Sequence, residues 1–530
     1  MDSVYPKNIY GIKVIGIEKW FDSYYLPVTG REFYSIRSNV FNSYMSLVRE
    51  VDNEVVRGIC ISHMNIIPYS IAMYICEKLQ KIRLKEKGYK YLVGHDKTDI
   101  SDNTSVIDYP GIAESGAIKK HMAEFNYQER LKNFLRTIRY NIKPSIVLNR
   151  NYLKNISRPC FLIGHREQQQ VVTYCNENKI SPIHIHPMLF ATNSFLESDI
   201  VPYIKIINGF VLDFLKSVVG VYSFENNHII EKIKCEMEEC FKYSLLFVCQ
   251  NIKKLRSCQP KQIIATGLGN QVHRLFCVAW RLSGGEVINV VHANGYCSSY
   301  SPGPIKLLLL ADKYYTSSSG HEEITRHVAN DYSFGLKMPD ILHLKKSFYR
   351  PLFERLQRAE PVSMIRKVMV VCAITRCHFE RYSRIHTFAR IYHQLRVMKL
   401  LRNKGYHIMY KPRPDTEEEV KGIFDRYADE TIYEKKFEDV YHYADCLLFS
   451  SHGTTTFGFS ILTNKPIVLI NSKESTWHKR AYELLKKRCS IVEAELDDGG
   501  KIVFSEQGLI DAIEASLKNI NYEVVYEFAF

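Results

Sequence analysis

Between two apolar runs, Cys446–Phe449 and Ile467–Ile470, the chain carries a hydroxyl-rich turn, Ser450-Ser451-His452-Gly453-Thr454-Thr455-Thr456. Hydroxyls, backbone N–H groups and a helix start gathered at one turn make an anion site, because the helix dipole favours negative charge there. A βαβ corner with an ordinary Ser/Thr cap has the same pattern. Basic residues stand at comparable places. Thr375 and Arg376 follow the run Val368–Ala373, and Lys411-Pro412-Arg413-Pro414 follows Tyr406–Tyr410. His292 follows Glu286–Val291. If these turns converge on one cleft, the basic groups and hydroxyls suit a diphosphate, and the histidine suits a base or an acid.

Such turns are positioned by alternating strands and helices. From 262 the pattern reads strand (Gln262–Thr266), glycine turn (Gly267–Asn270), helix (Val272–Arg281) and strand (Glu286–Val291), then the apolar run Ile305–Leu310 and a short strand, Asp312–Thr316. A second alternation runs from Val368: strand, loop, helix Phe388–Asn403 ending at Gly405, strand Tyr406–Tyr410, helix Glu417–Tyr427, and the hydroxyl turn with helix Phe457–Leu462. This spacing predicts parallel, doubly wound sheets, whose ligands sit beyond the carboxyl ends of the strands. Residues 330–365, with Pro339, Pro351 and Pro361, read as a linker. Toward the N-terminus, Val55–Ile66 reads as a strand leading into a turn, Tyr69–Lys87 as a helix, and 200–256 as mostly helical. The basic stretch 115–155 reads as an amphipathic helix, either a solvated face over a core or a surface for membrane or acceptor lipid.

A chain of 530 residues exceeds one core. The expected division is 1–345, an α/β unit with helical additions, and 346–530, a Rossmann-like unit. A net charge of +14 favours anionic partners such as nucleotides, phospholipid headgroups, acidic glycans or nucleic acid. No dense Lys/Arg tract or nucleic-acid signature supports the last. No apolar run reaches the roughly 18 residues of a membrane span, and the N-terminus has no signal-peptide pattern. A cytoplasmic protein, resting at most on the inner membrane's cytoplasmic face, is expected. The fourteen cysteines form no CxxC and are expected to be reduced. The IHIHP segment at 183–187 places two histidines on one side of a strand, without a third ligand, so no metal site is expected.

Residues 365–475 resemble the nucleotide-binding half of GT-B glycosyltransferases. They are most similar to bacterial capsule, lipopolysaccharide and teichoic-acid transferases, including CDP-glycerol polyol-phosphate transferases, polysialyltransferases and β-Kdo transferases. The shared pattern is Lys411-Pro412-x-Pro414, Ala444-Asp445 before a strand, Ser450-Ser451, Thr454–Thr456 and Lys465-Pro466-Ile467. More faintly, His292-Ala293-Asn294-Gly295 ahead of Ala311-Asp312-Lys313-Tyr314-Tyr315 is similar to the family's acceptor side. The resemblance implies two Rossmann-like domains facing across a cleft, with a sugar moved from a nucleotide-sugar donor to a surface polysaccharide or glycolipid acceptor. It implies His292 as catalytic base, and donor-phosphate contacts from Arg376, Lys411, Arg413, Ser450, Ser451, Thr454 and Thr455. No cofactor is implied beyond the activated donor. Two departures stand out. Arg413 replaces the family's histidine and can grip phosphate but not act as an acid. Gly458 stands where many such enzymes place a glutamate for the ribose. Transfer of a polyol phosphate from a CDP donor, and a non-catalytic member of the fold, are the alternatives.

Overall fold

The computed structural model describes residues 4–6, 9–92, 160–164, 168–185, 187, 198, 200–222, 227–258, 262–266, 268–291, 305–372, 384–414, 416–452, 454–473, 475–497 and 501–530. The expected basic helix at 115–155 lies outside them, as do Thr375, Arg376 and His292.

Two parallel sheets organise the molecule. The first has six strands in the order 183–184, 160–163, 262–265, 286–290, 313–316, 340–343, all parallel. Its pleat sends alternate residues to opposite faces. Leu162, Ile264 and Ile288 pack with Val171 and Tyr174 of helix Gln169–Glu177. Ile163, Ile263 and Val287 join the larger core on the other face. That face is covered by helix Gln271–Leu282 and, over it, helices Glu54–His63 and Asn227–Cys258. Asn270 starts the 271–282 helix by accepting from the Val272 N–H at 2.7 Å. Gly284, at φ +86°, lies just past its end.

The second sheet has seven strands in the order 430–431, 407–411, 367–371, 446–449, 467–472, 490–496, 502–504. Only the last pair, 490–496 with 502–504, is antiparallel. Strand 446–449 is buried along its whole length, as its unbroken apolar run requires in a sheet covered on both faces. The molecule is thus α/β with doubly wound parallel sheets, as the alternation predicted.

Several expected elements are corrected. Val55–Ile66 is not a strand: Asn53 accepts from the Val56 N–H at 3.1 Å and opens a helix whose buried residues Val56, Ile59 and Cys60 follow helical spacing. The apolar run Ile305–Leu310, for which the pattern named no element, holds a short helix, Ile305–Leu309. The 417–427 helix stops at Val420, because Gly422 turns the chain at φ +80°. The segment read as a linker holds the sixth strand of the first sheet, Asp340–His343, and helix Tyr349–Leu356.

The chain's ends cross over. Helix Ile17–Asp22 lies against the second sheet's helices: Glu18 pairs with Lys399 at 2.8 Å, and Trp20 packs edge-on to Phe388 and Tyr392. Helix Glu523–Phe528 lies against helix Ser319–Tyr332 of the first. There the Ser318 hydroxyl donates to the Phe528 carbonyl at 2.7 Å, and a Cβ on Gly320 would fall 2.4 Å from the Glu527 carbonyl.

Among the described residues no single helix is long and apolar enough to cross a membrane. Helices Glu54–His63 and Ile67–Glu86 pass that test only as a pair bent by 45°, and both pack much of their surface into the core.

Candidate active site at the carboxyl edge of the second sheet

Strand 367–371 starts the second sheet at its middle. The chain then adds 407–411 and 430–431 on one side, and 446–449, 467–472 and 490–496 on the other. The order therefore reverses between 367–371 and 446–449. In an open parallel sheet, the two connections leaving such a pair run to opposite faces and open a crevice beyond the carboxyl ends. Val371 pairs with both Lys411 and Phe449, so three strands end level there. Residues 411 and 449 are then two strand spacings apart, about 10 Å. The segments leaving this edge are 412–414, 450–454 and, from the next strand, 473–478.

In the hydroxyl turn, Ser450, Ser451 and Thr454 are half-buried and Thr455 is exposed. Thr454 caps helix Thr455–Ile461, its hydroxyl accepting from the Phe457 N–H at 3.1 Å. That helix has only seven residues, so an anion placed at the turn would rely on its hydroxyls and N–H groups rather than on a long helix dipole. Gly458 is buried inside it.

The Lys-Pro-Arg-Pro segment divides by role. Lys411 is buried, its ammonium donating to the Pro412 carbonyl at 2.8 Å and facing Glu417 Oε1 at 3.5 Å. Burial lowers its pKa, with Glu417 opposing. Its charge is spent within its own loop in this arrangement. Arg413 is exposed, while its carbonyl accepts from the Thr416 N–H at 2.9 Å and fixes the turn.

Other residues of the pattern serve the scaffold. Asp445 takes the N–H groups of Arg366 and Lys367 at 2.9 and 2.8 Å. Lys465 donates to the Ala444 carbonyl at 2.8 Å. Both lie at the amino edge of the sheet, away from the crevice. In the first sheet, the His184 ring contacts the Gly164 carbonyl at 3.0 Å, and His186 is outside the described residues.

Sequence reasoning passed over an aromatic pile beside the turn. The His452 ring lies 3.9 Å from that of Trp477, which lies 5.3 Å from Tyr482. The Trp477 indole donates to Asn471 Oδ1 at 3.0 Å, and Asn471 donates to Glu493 at 3.2 Å. Burial pushes the His452 pKa down to about 4, so its imidazole is neutral near pH 7. His452 stood in the sequence between two serines and a glycine at a strand end, which was a usable signal. Trp477 follows a Ser-Thr pair past the next strand and carried none.

A cleft of about 390 Å³ lies elsewhere, lined by residues including Thr29, Arg31, Glu32, Arg83 and Asp497. Among the described residues, none of the expected phosphate ligands lines it. Arg83 and Glu32 pair there at 2.7 Å, and that hydrogen bond holds the Glu32 carboxyl down at about 2.

Compared with known proteins, the chain matches no family model and no curated sequence.

Proposed function

We propose that the protein is a glycosyltransferase of GT-B architecture. It moves a sugar from a nucleotide-sugar donor to a surface polysaccharide or glycolipid acceptor. The observation that carries this reading is a coincidence of place: the hydroxyl turn 450–454 leaves the sheet at its switch point, level with the Lys411–Pro414 turn. A diphosphate there would meet Ser450, Ser451, Thr454 and Thr455 on one side and Arg413 on the other, with Arg376 as a further cation. The His452 ring, tilted 38° against Trp477, would offer a face for the nucleobase. His292 would take the acceptor's proton. Positive groups around the leaving diphosphate would stabilise its developing charge. The acceptor side would come from the first sheet, and the enzyme would work at the cytoplasmic membrane face.

Calorimetric titration with UDP, GDP, CDP, CMP and TDP tests the donor edge. One nucleotide should bind, and Arg413→Ala should weaken it by roughly 1.5–3 kcal/mol, the scale of a charged hydrogen bond. Unchanged affinity in Arg413→Ala would remove the donor site from this edge. Turnover of CDP-glycerol but of no nucleotide sugar would replace glycosyl transfer by polyol-phosphate transfer. Turnover of neither would leave a binding protein of the same fold.

A further inference from the structure

Three potential metal ligands meet where the two sheets' helices touch. Glu323 and His327 lie one turn apart on helix Ser319–Tyr332, which follows a strand of the first sheet. His478 precedes helix Lys479–Arg488 of the second. His327 Nδ1 and His478 Nε2 face each other at 3.0 Å, and the three ligand atoms all lie within 4.8 Å of one another. We propose that Glu323, His327 and His478 form a site for a divalent first-row transition ion, zinc foremost, that clasps the two units together.

The chemistry of the set favours such an ion. Two imidazole nitrogens with one carboxylate oxygen suit zinc and its neighbours rather than calcium or magnesium, which prefer oxygen. Residues at i and i+4 share one helix face, so Glu323 and His327 reach a common point without backbone change. Zinc–nitrogen bonds of about 2.0–2.1 Å at a tetrahedral angle separate two nitrogens by about 3.3 Å. The two rings would part by only a few tenths of an ångström. A fourth position stays open for water. His327 and Glu323 are exposed and His478 is half-buried, so an ion has access from solvent.

The location gives the ion a consequence. Around it the units are already tied: Arg480, two residues past His478, pairs with Glu527, and the helix holding Glu527 packs on both helices 319–332 and 479–488. Trp477, next to His478, packs against His452 of the hydroxyl turn with the rings tilted by 38°. An ion here would add three coordinate bonds across that junction. The inference does not depend on glycosyl transfer, since the ligands are outside the donor turn.

The test uses the full chain, stripped with a chelator and titrated with zinc and, separately, cobalt(II). The expected result is one equivalent of zinc bound and a raised melting temperature. Affinity should fall at least tenfold in His327→Ala and in His478→Ala, and measurably in Glu323→Gln. The cobalt spectrum should lack a thiolate charge-transfer band, because no cysteine is in the set. Equal zinc affinity in the His327→Ala/His478→Ala double variant overturns the proposal. So does a thiolate-dominated cobalt spectrum, which would move the ion to cysteines such as the exposed Cys235. Only weak binding of several ions would equally overturn it. Circular dichroism of each variant separates loss of the site from loss of the fold.

Discussion

Arg488 is the residue on which the geometry behind the hydroxyl turn most depends. It is fully buried. Its guanidinium donates to the carbonyls of Ile461, Ser460, Thr463 and Lys465, at 3.0, 3.4, 2.5 and 3.1 Å. These carbonyls end helix 455–461 and form the turn into strand 467–472, where a helix leaves acceptors without partners. Burial lowers the Arg488 pKa, yet arginine stays charged at any working pH. Arg488→Ala would strand several buried acceptors at about 1–3 kcal/mol each, so a loss of at least about 3 kcal/mol is expected. Arg488→Lys should recover only part of it, since an ammonium lacks the planar fork that spans several carbonyls. Urea unfolding of both variants measures this, and a loss under 1 kcal/mol for the alanine would refute the clamp. The sequence could not single the residue out. It closes a Lys486-Lys487-Arg488 run that looks like solvent-facing charge. By contrast, the serines and threonines at 450–456 were legible, because their position after an apolar strand depends only on local pattern.

At the scale of elements, one device recurs in both sheets. An aspartate immediately before a strand takes the N–H of the first or second residue of its neighbour. Asp312 takes Val287 at 2.8 Å, Asp429 takes Ile408 at 2.7 Å, and Asp445 takes Lys367 at 2.8 Å. Each aspartate fixes the stagger of two parallel strands at their amino ends. The carboxyl ends, where ligands sit, are left free for other chemistry. The backbone hydrogen bond from Ile408 holds the Asp429 carboxyl below its usual range. Its contribution to stability is thus present above the ordinary aspartate pKa and lost as the pH falls through the lowered one. Asp445→Ala should cost about 1–3 kcal/mol, and Asp445→Asn less, because the amide oxygen still accepts. Denaturant midpoints decide this; equal losses in the two variants would mean that charge, not acceptance, is what matters. The Ala-Asp pair was readable as a strand-start signal, and strand Cys446–Phe449 matches its expected bounds. Elements were misread where composition and tertiary context disagree. Val55–Ile66 is rich in β-branched residues, but its Asn53 cap and packing against helix 271–282 decide for a helix. Strand 340–343 was hidden by nearby prolines and charges, and only its pairing with 313–316 makes it a strand.

Across the whole molecule, the exchange of chain ends between the two sheets could not be read from the sequence, since it depends on contacts hundreds of residues apart. Glu18 meets Lys399, and Ser318 meets Phe528. The same tight burial sets a molecule-wide response to acid. Burial pushes His63 down to about 3, helped by the charge of Arg274, pushes His321 down to about 4, and pushes His393 down to about 3. In the unfolded chain each titrates near 6.5. Below that pH the unfolded chain takes up protons that the folded chain refuses. Stability from these three groups is therefore complete above about pH 6.5 and lost progressively as the pH falls toward 4. The limiting slope is about 4 kcal/mol per pH unit, large against a typical total of 5–15 kcal/mol. His393 isolates the effect. Neither of its ring nitrogens has a hydrogen-bond partner among the described residues, and it packs against Phe504. His393→Leu keeps an apolar side chain on helix Arg384–Asn403 and removes one titration. The variant should gain about 2 kcal/mol relative to the parent between pH 7 and pH 5, because 1.5 pH units of refused protonation disappear. Melting curves across that range test it. Parallel pH profiles for the two proteins would mean that His393 is already protonated, or reached by water, in the fold.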